Sequence, residues 1–291
     1  TKWTAKLILA DVYLTRAGWR RSSDGQFVQG DAQNWSLARD KAGEVISGAP
    51  QMLITEPVIN GKDTTPACGV PWIRPFSEES MLELSSIPEA TLGAYITREV
   101  FASNSGVSFW GIASDRPFSA LGNNSTINQM RFPASPVVGM YIPTPSLYRA
   151  IEPDDERKWG ILTKYISPEG VTYITQPVFR KFLDLDYMLG KAGTNFQYTN
   201  VNFLLYRYAD ALLIYAEAAN EADNGPSTLA YQYANQIRNR AGLGDLPDGL
   251  SKEDFREAIW QERRIELMSE NKRRFDLIRT NRLTTATTGL D

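Results

Sequence analysis

LLYRYADALLIYAEAANE, residues Leu204–Glu221, is the stretch whose reading decides the fold. It is dominated by alanine, leucine and tyrosine, yet it carries Arg207, Asp210, Glu217 and Glu221. On a helical wheel at about 100° per residue, Leu205, Ala209, Leu212, Ala216 and Ala219 share one face. Phe203 and Ile214 fall on the opposite side, near Asp210. A helix apolar on nearly all sides is covered on several of them, and here a narrow acidic stripe runs through it. The stretch predicts a helix over 202–222 buried among other helices.

Working outward, helical spacing continues on the C-terminal side. Ser227 is placed to cap a second helix that runs to about Ala241 and stops at Gly242. SKED at Ser251–Asp254 is a capping-box variant that opens a third helix, to about Ser269. Asn271 takes the left-handed turn, and a short helix holds Arg273–Arg279. At the other end, Trp3, Leu7, Ala10 and Leu14 recur at three- and four-residue spacing. Trp35, Ala38, Ala42, Val45 and Ile46 do the same, and the polar stretch Arg20–Gly30 joins the two helices. Gly48 and Pro50 end the second one. The pairs 4–47 and 202–241 share one design, antiparallel helices with small alanine positions, which is that of tetratricopeptide-like repeats. The fold class expected is mainly α, with helical hairpins, an irregular loop-rich region and few short strands. We read 1–291 as one domain: a hairpin over 1–50, a loop-rich region over 51–200 and a helical region over 201–282. Within 51–200 a short helix is expected at Glu78–Ser85 and a strand at Val171–Thr175.

Composition excludes several kinds of chemistry. The 291 residues contain no histidine, so the commonest general base and transition-metal ligand is missing. Cys68 is the one cysteine, which precludes an intrachain disulfide or a thiolate zinc cluster. We expect no metal and no cofactor. The net charge is −3, from 31 basic and 34 acidic residues, and gives no reason to expect nucleic acid. Between Lys252 and Arg282 nine basic and seven acidic residues interleave, the pattern of an ion-paired helix surface. No apolar run approaches the roughly 20 residues that span a bilayer.

The acids admit two readings. Phe255 and Ile259 define the apolar face of the third helix, and Glu262 and Glu266 fall on that same face. Carboxylates enclosed there need partners, because an unpaired one is costly. Arginine suits them, since its planar fork can take a carboxylate at two points. A structural ion-pair network of Arg207, Asp210, Glu217, Glu262, Arg263, Glu266 and Arg274 is expected. The other reading is a histidine-free glycoside hydrolase that uses Asp210 and Glu217. Seven helical residues would place them about 10 Å apart, near the upper limit for the inverting geometry. Catalytic pairs flank a cleft, however, and neighbouring guanidiniums pull carboxylate pKa values down, the wrong direction for a general acid. No catalytic residue is assigned.

The same blocks carry a resemblance. NFLLYRYADALLIYAEAANEA, ANQIRNRAGL and ERRIELMSENKRRFDLIR resemble, in order and spacing, the C-terminal signature of the SusD/RagB family. AKLILADVYL, FSEESMLEL and YIPTPSLYRAIEPDDERKWGILTKYI, with its Asp155–Arg157 pair, are similar to blocks further upstream. Asn271 stands where the family usually has glycine. The resemblance implies a lipid-anchored protein on the extracellular face of the outer membrane of a Gram-negative bacterium. Such proteins bind glycans or other nutrients without catalysis and cap a SusC-like TonB-dependent transporter. It further implies that the present sequence is an internal fragment, its N-terminal helices, lipid anchor and C-terminal tail absent. Membrane attachment would come only through that anchor. A helical-repeat scaffold that binds only protein is the second class considered.

A neutral glycan offers hydroxyl rows and apolar C–H faces, which flat aromatic side chains and polar edges can meet. The loop FASNSGVSFWGIASDRPF (Phe101–Phe118) has that composition. The candidates are Trp110, Phe109, Phe101, Asn104, Asp115 and Arg116, followed by Trp72 and Tyr95. Phe109 and Trp110 are equally compatible with pinning the loop to the helical body. Trp3, Trp35, Trp159 and Trp260 read as packing residues.

Overall fold

The computed structural model describes residues 1–60, 63–86, 143–166, 172–182 and 201–288. In chain order the elements are α1 (Lys2–Ala17), β1 (Trp19–Arg21), β2 (Phe27–Gln29), α2 (Gln33–Gly48), β3 (Val58–Asn60) and β4 (Asp63–Thr65). Then come α3 (Val70–Ile73), β5 (Ser80–Leu84), α4 (Pro145–Ala150), β6 (Ile161–Ile166), β7 (Thr172–Phe179) and β8 (Phe203–Arg207). The chain closes on α5 (Tyr208–Ala222), α6 (Thr228–Arg240), α7 (Lys252–Glu266), α8 (Arg273–Arg279) and α9 (Leu283–Thr288). The described residues are mainly helical with a few short strands, the expected class. They form two compact units: Thr1–Glu56 with Phe76–Glu83 and Leu204–Asp291, and Pro57–Pro75 with Leu84–Phe203.

In the first unit α5 is the central rod. Ala211, Ile214 and Ala218 on one side join Leu7, Ala10 and Leu14 of α1 and Ala38, Ala42 and Val45 of α2. Ala216 and Ala219 on a second side meet Ala230 and Ala234 of α6 and Phe255 and Ile259 of α7. Tyr208, Ala209, Leu212 and Leu213 pack with Ile237 and Leu267. Small side chains on these sides let neighbouring helices approach closely, and the all-round apolar surface of the sequence is consumed by that contact.

Side chains mark the helix starts. The Thr1 hydroxyl accepts from the Thr4 N–H, Ser227 from Ala230 and Ser251 from Asp254. Gly242 (φ 78°) follows α6, and Asn271 (φ 65°) precedes α8, each in the left-handed region. Two expected helices are corrected. The apolar spacing predicts 202–207 as the first turns of the long helix, but Phe203–Arg207 is the strand β8, paired with β5. The helix begins later because the Asp210 carboxylate accepts the Arg207 N–H at 3.0 Å, and Arg207 itself keeps extended backbone (φ −139°, ψ 169°). The helix expected at Glu78–Ser85 is the partner strand β5, so both errors come from one non-local pairing. The α1–α2 connection also holds a small antiparallel hairpin, β1 with β2, where Trp19 stacks on Phe27 at 5.7 Å between ring centres.

The second unit is irregular among its described residues. β3 pairs with β4, and β6 pairs with β7, both antiparallel. The strand expected at Val171–Thr175 lies largely within β7. Asp155 accepts the Arg157 N–H and forms a buried ion pair with its guanidinium at 2.7 Å. Trp72 meets Phe182 edge-on, and Phe182 stacks on Phe203 at 5.2 Å.

The α5 contact with α6 and α7 generates a stability prediction. Ala216→Leu adds volume where Ala216 is fully buried against both helices. It is expected to cost about 1–3 kcal/mol in chemical denaturation. An unchanged denaturation midpoint would show that the interface has room to spare.

Candidate functional site

The charges of the helical unit gather into buried clusters. The first is built on Arg207, which is 1% exposed at the junction of β8 and α5. Its guanidinium donates to Glu79 Oε1 at 2.6 Å and to Glu270 Oε1 and Oε2 at 2.8 and 2.9 Å. It also meets Glu266 Oε1 at 2.6 Å and donates to the Glu266 carbonyl at 3.0 Å. Arg240, at the end of α6, donates to Glu79 Oε2 at 2.8 Å and to Glu266. Burial opposes the charge on Arg207, but Glu270, Glu266 and Glu79 outweigh it and raise its pKa well above the ordinary arginine value.

The second cluster is built on Glu217, 1% exposed in the middle of α5. Arg279 grips both its oxygens, at 2.5 and 2.8 Å, and the Trp260 indole N–H donates to it at 2.8 Å. Arg279 and Arg263 also share Asp276. Burial alone would raise the Asp276 carboxyl, but these two guanidiniums hold it at about 2. One turn beyond Glu217, Glu221 takes the fork of Arg256 at 2.6 and 2.7 Å.

Three expectations about these charges change. Among the described residues Asp210 touches no arginine side chain; its cation is Lys272 at 3.5 Å, and its hydrogen bond is the capping one from Arg207 N–H. Its pKa accordingly moves up, because burial outweighs Lys272, and not down as neighbouring guanidiniums would make it. Arg274 is exposed and makes no ion pair among the described residues, so it stands outside the clusters. Glu262 meets Arg238 of α6 at 3.4 Å, outside the clusters built on Arg207 and Glu217. Glu79, Arg240, Glu270 and Asp276, which complete the clusters, lie outside the expected set, whereas Arg279 is one of the cations that the sequence offers near the buried acids. Arg279 and Asp276 sit three apart on one short helix, a spacing visible in sequence. Glu79 lies 128 residues from Arg207, and no local pattern could pair them.

Among the ligand candidates, Trp110, Phe109, Phe101, Asn104, Asp115, Arg116 and Tyr95 lie outside the described residues. Trp72 is corrected. It is 4% exposed, meets Phe182 edge-on and has the Lys181 ammonium over its ring at 5.2 Å, so it offers no open face for stacking. Trp3 and Trp35 are partly buried and pack against the α1–α2–α5 core. No group of acids and cysteine capable of holding a metal ion occurs among the described residues.

The family model of the SusD family matches residues 122–289, more than half of the chain. Two curated relatives come from Formosa agariphila. SusD-like protein P2 is 41% identical over 97 residues, covering 31% of this chain and 19% of that protein. SusD-like protein P25 is 46% identical over 81 residues, covering 27% and 15%. Among solved structures, a SusD superfamily protein from Parabacteroides distasonis superposes with a TM-score of 0.68 at 23% identity, over 96% of this chain and 52% of that one. A structure described with xylogluco-oligosaccharide superposes at 0.68 and 20% identity, over 99% and 52%. Surface glycan-binding protein A from Bacteroides uniformis gives 0.61 and 18%, over 96% and 49%. The chain spans about half the length of these solved proteins.

Two predictions follow from the clusters. Arg207→Met removes one guanidinium from three buried carboxylates and is expected to cost about 3–5 kcal/mol in urea unfolding. A loss below 1 kcal/mol, roughly the worth of an exposed pair, would mean the carboxylates find other partners. The second concerns acid. The folded pKa of Asp276 is below its ordinary 3.8, so its contribution is present above that value and lost as pH falls toward about 2. The Tm gap between wild type and Asp276→Asn is therefore expected to be widest above about pH 5 and to narrow below about pH 4. A gap that is constant over that range counts against the pairing.

Proposed function

The chain belongs to the SusD family, and from that premise we propose that it is part of a non-catalytic, cell-surface nutrient-binding protein. The ligand is a glycan, held by aromatic stacking and edge hydrogen bonds and passed to a TonB-dependent transporter in the outer membrane. A lipid anchor in the longer protein would hold it at the extracellular face.

One observation carries the non-catalytic part. The two acids best spaced for glycoside hydrolysis, Asp210 and Glu217, are 2% and 1% exposed, inside the helical unit. Glu217 is occupied on both oxygens by Arg279 and again by Trp260. A general acid must reach a leaving-group oxygen, and a general base must reach a water. Glu217 is committed to holding α7 and α8 on α5. The glycan part is supported by family membership and by two structural neighbours, one described with xylogluco-oligosaccharide and one named as a surface glycan-binding protein. The stretch 101–118 supplies the proposed contacts, with Trp110 as the principal stacking residue and Asn104, Asp115 and Arg116 at the edge.

Native affinity electrophoresis through gels cast with individual polysaccharides, xyloglucan among them, tests this. Retardation in at least one gel is expected, with no reducing sugar released on prolonged incubation. Trp110→Ala should weaken the retardation by about tenfold or more in apparent affinity, in keeping with an aromatic contact worth at least 1.4 kcal/mol. Absence of retardation across the panel would favour a protein-binding scaffold. Turnover that disappears in Glu217→Gln would convert the protein into a hydrolase.

A further inference from the structure

Composition marks Arg20–Gly30 as a polar linker between α1 and α2, but the chain folds there into a fixed hairpin. At its tip the Ser22 N–H donates to the Gln26 carbonyl at 2.8 Å, and the Gly25 N–H donates to the Ser22 carbonyl at 3.0 Å. Gly25 takes the left-handed conformation (φ 83°) that closes the turn. The Ser22 hydroxyl donates to Asp24 and to the Gln26 carbonyl. At the base the Gly30 N–H donates to the Gly18 carbonyl at 2.8 Å. The backbones approach so closely here that a Cβ at Gly18 would collide with the Arg279 carbonyl of α8, and one at Gly30 with the Arg16 carbonyl of α1. β1 and β2 are therefore held at both ends, and the side chains they carry are presented in a preset arrangement.

In the antiparallel register Trp19 stands opposite Gln29, and Arg21 stands opposite Phe27. Side chains two apart on a strand share a face, so Trp19, Arg21, Phe27 and Gln29 lie on one side, and Arg20 and Val28 on the other. The ring contact agrees with this: Trp19 and Phe27 stack with 16° between their planes. Phe27 is 42% exposed, and Arg21 and Gln29 on the same face are exposed as well. Arg21 meets no carboxylate among the described residues. Asp24, the acid of the hairpin, is taken by the Ser22 hydroxyl and the Gln26 N–H. An accessible aromatic ring thus stands directly across from an uncommitted guanidinium, on a backbone that holds both in place.

We propose that the Trp19–Phe27 face of this hairpin is a second glycan subsite that takes a uronic acid residue, its ring packed on Phe27 and its carboxylate on Arg21. Size argues against a protein in this place. Each strand has three residues and is about 10 Å long, and the two lie about 5 Å apart. The face is then on the order of 100 Å², far short of the roughly 800 Å² that each partner buries in a standard protein interface. A sugar ring or two fits it. Charge selects among sugars, because Arg21 is the charged side chain of the face and its planar fork matches a carboxylate at two points. The exposed ring meets the apolar C–H face of the sugar, and the Gln29 amide lies on the same side to meet hydroxyls. The class of ligand rests on the glycan reading above, whereas the position is separate from the stretch 101–118.

Isothermal titration with tetramers of galacturonate, glucuronate and mannuronate, at low and at physiological salt, tests this. Saturable binding of at least one tetramer, weaker at the higher salt, is expected. Arg21→Gln should weaken it by about tenfold, the loss of a charge-assisted hydrogen bond. Phe27→Leu keeps an apolar side chain but removes the flat ring, and should weaken binding by about fivefold, whereas Phe27→Tyr should bind as the wild type does. The control is Arg20→Gln, which removes the same charge from the opposite face of the same strand and should stay within about twofold of the wild type. Thermal melts establish that each variant is folded. Trp110→Ala separates this site from the one proposed on 101–118: it should leave uronate binding intact. The proposal is overturned by equal loss in Arg20→Gln or in Trp110→Ala, by unchanged binding in Phe27→Leu, or by tighter binding of a glutamate octapeptide than of any tetramer. Retardation by a neutral polysaccharide with no uronate bound overturns this proposal alone and leaves the glycan reading standing.

Discussion

The helical unit depends on how it disposes of charge inside an alanine-rich rod. α5 touches hydrophobic clusters on three sides, and it still carries Asp210 and Glu217 at almost no exposure. Ionised groups in such a place require partners held at hydrogen-bonding distance, because the desolvation cost exceeds anything packing alone returns. The partners come from α8 and from Lys272 before it. Arg207, just before the helix, makes the same demand in reverse and draws Glu79, Glu266 and Glu270 to itself. Each cluster therefore acts as a register pin. Sliding α7 or α8 along α5 by one turn would strand a charge, so the positions of these helices are specified far more sharply than alanine-on-alanine packing would specify them.

That role also separates architecture from chemistry. The Glu217 carboxylate, bound on both oxygens by Arg279 and again by the Trp260 indole N–H, is 1% exposed and out of a substrate's reach. Of the two acids that looked most like a catalytic pair, Glu217 is held by Arg279 and Trp260, and Asp210 caps its own helix. The proposed recognition by the stretch 101–118 leaves these buried charges to structure.

Much of the fold was legible from local pattern. Ser227 and Ser251 mark their helix starts, Gly242 and Asn271 mark turns, and the three- and four-residue spacing of α1 and α2 places Leu7, Ala10, Ala38 and Ala42 in the core. Each of these signals is contained within one or two turns of chain. The misreadings share a cause. Phe203–Arg207 and Ser80–Leu84 have helix-compatible composition, and only their pairing across more than a hundred residues makes them strands. Trp72 looks like an exposed aromatic in sequence because nothing near it announces Phe182 and Lys181.

By itself, then, the sequence determined the mainly helical class, the helix boundaries set by side-chain caps, and the requirement that the acids of 204–221 be neutralised by cations. It also carried the family, through motifs long enough to be specific. Only the tertiary structure decided which cation serves which acid: Arg279 for Glu217, Lys272 for Asp210, and Glu79 for both Arg207 and Arg240. The reason is physical. Capping and amphipathic periodicity act between residues a few positions apart, whereas a buried ion pair is chosen by whatever charge the folded chain brings within about 3 Å, from any distance along it.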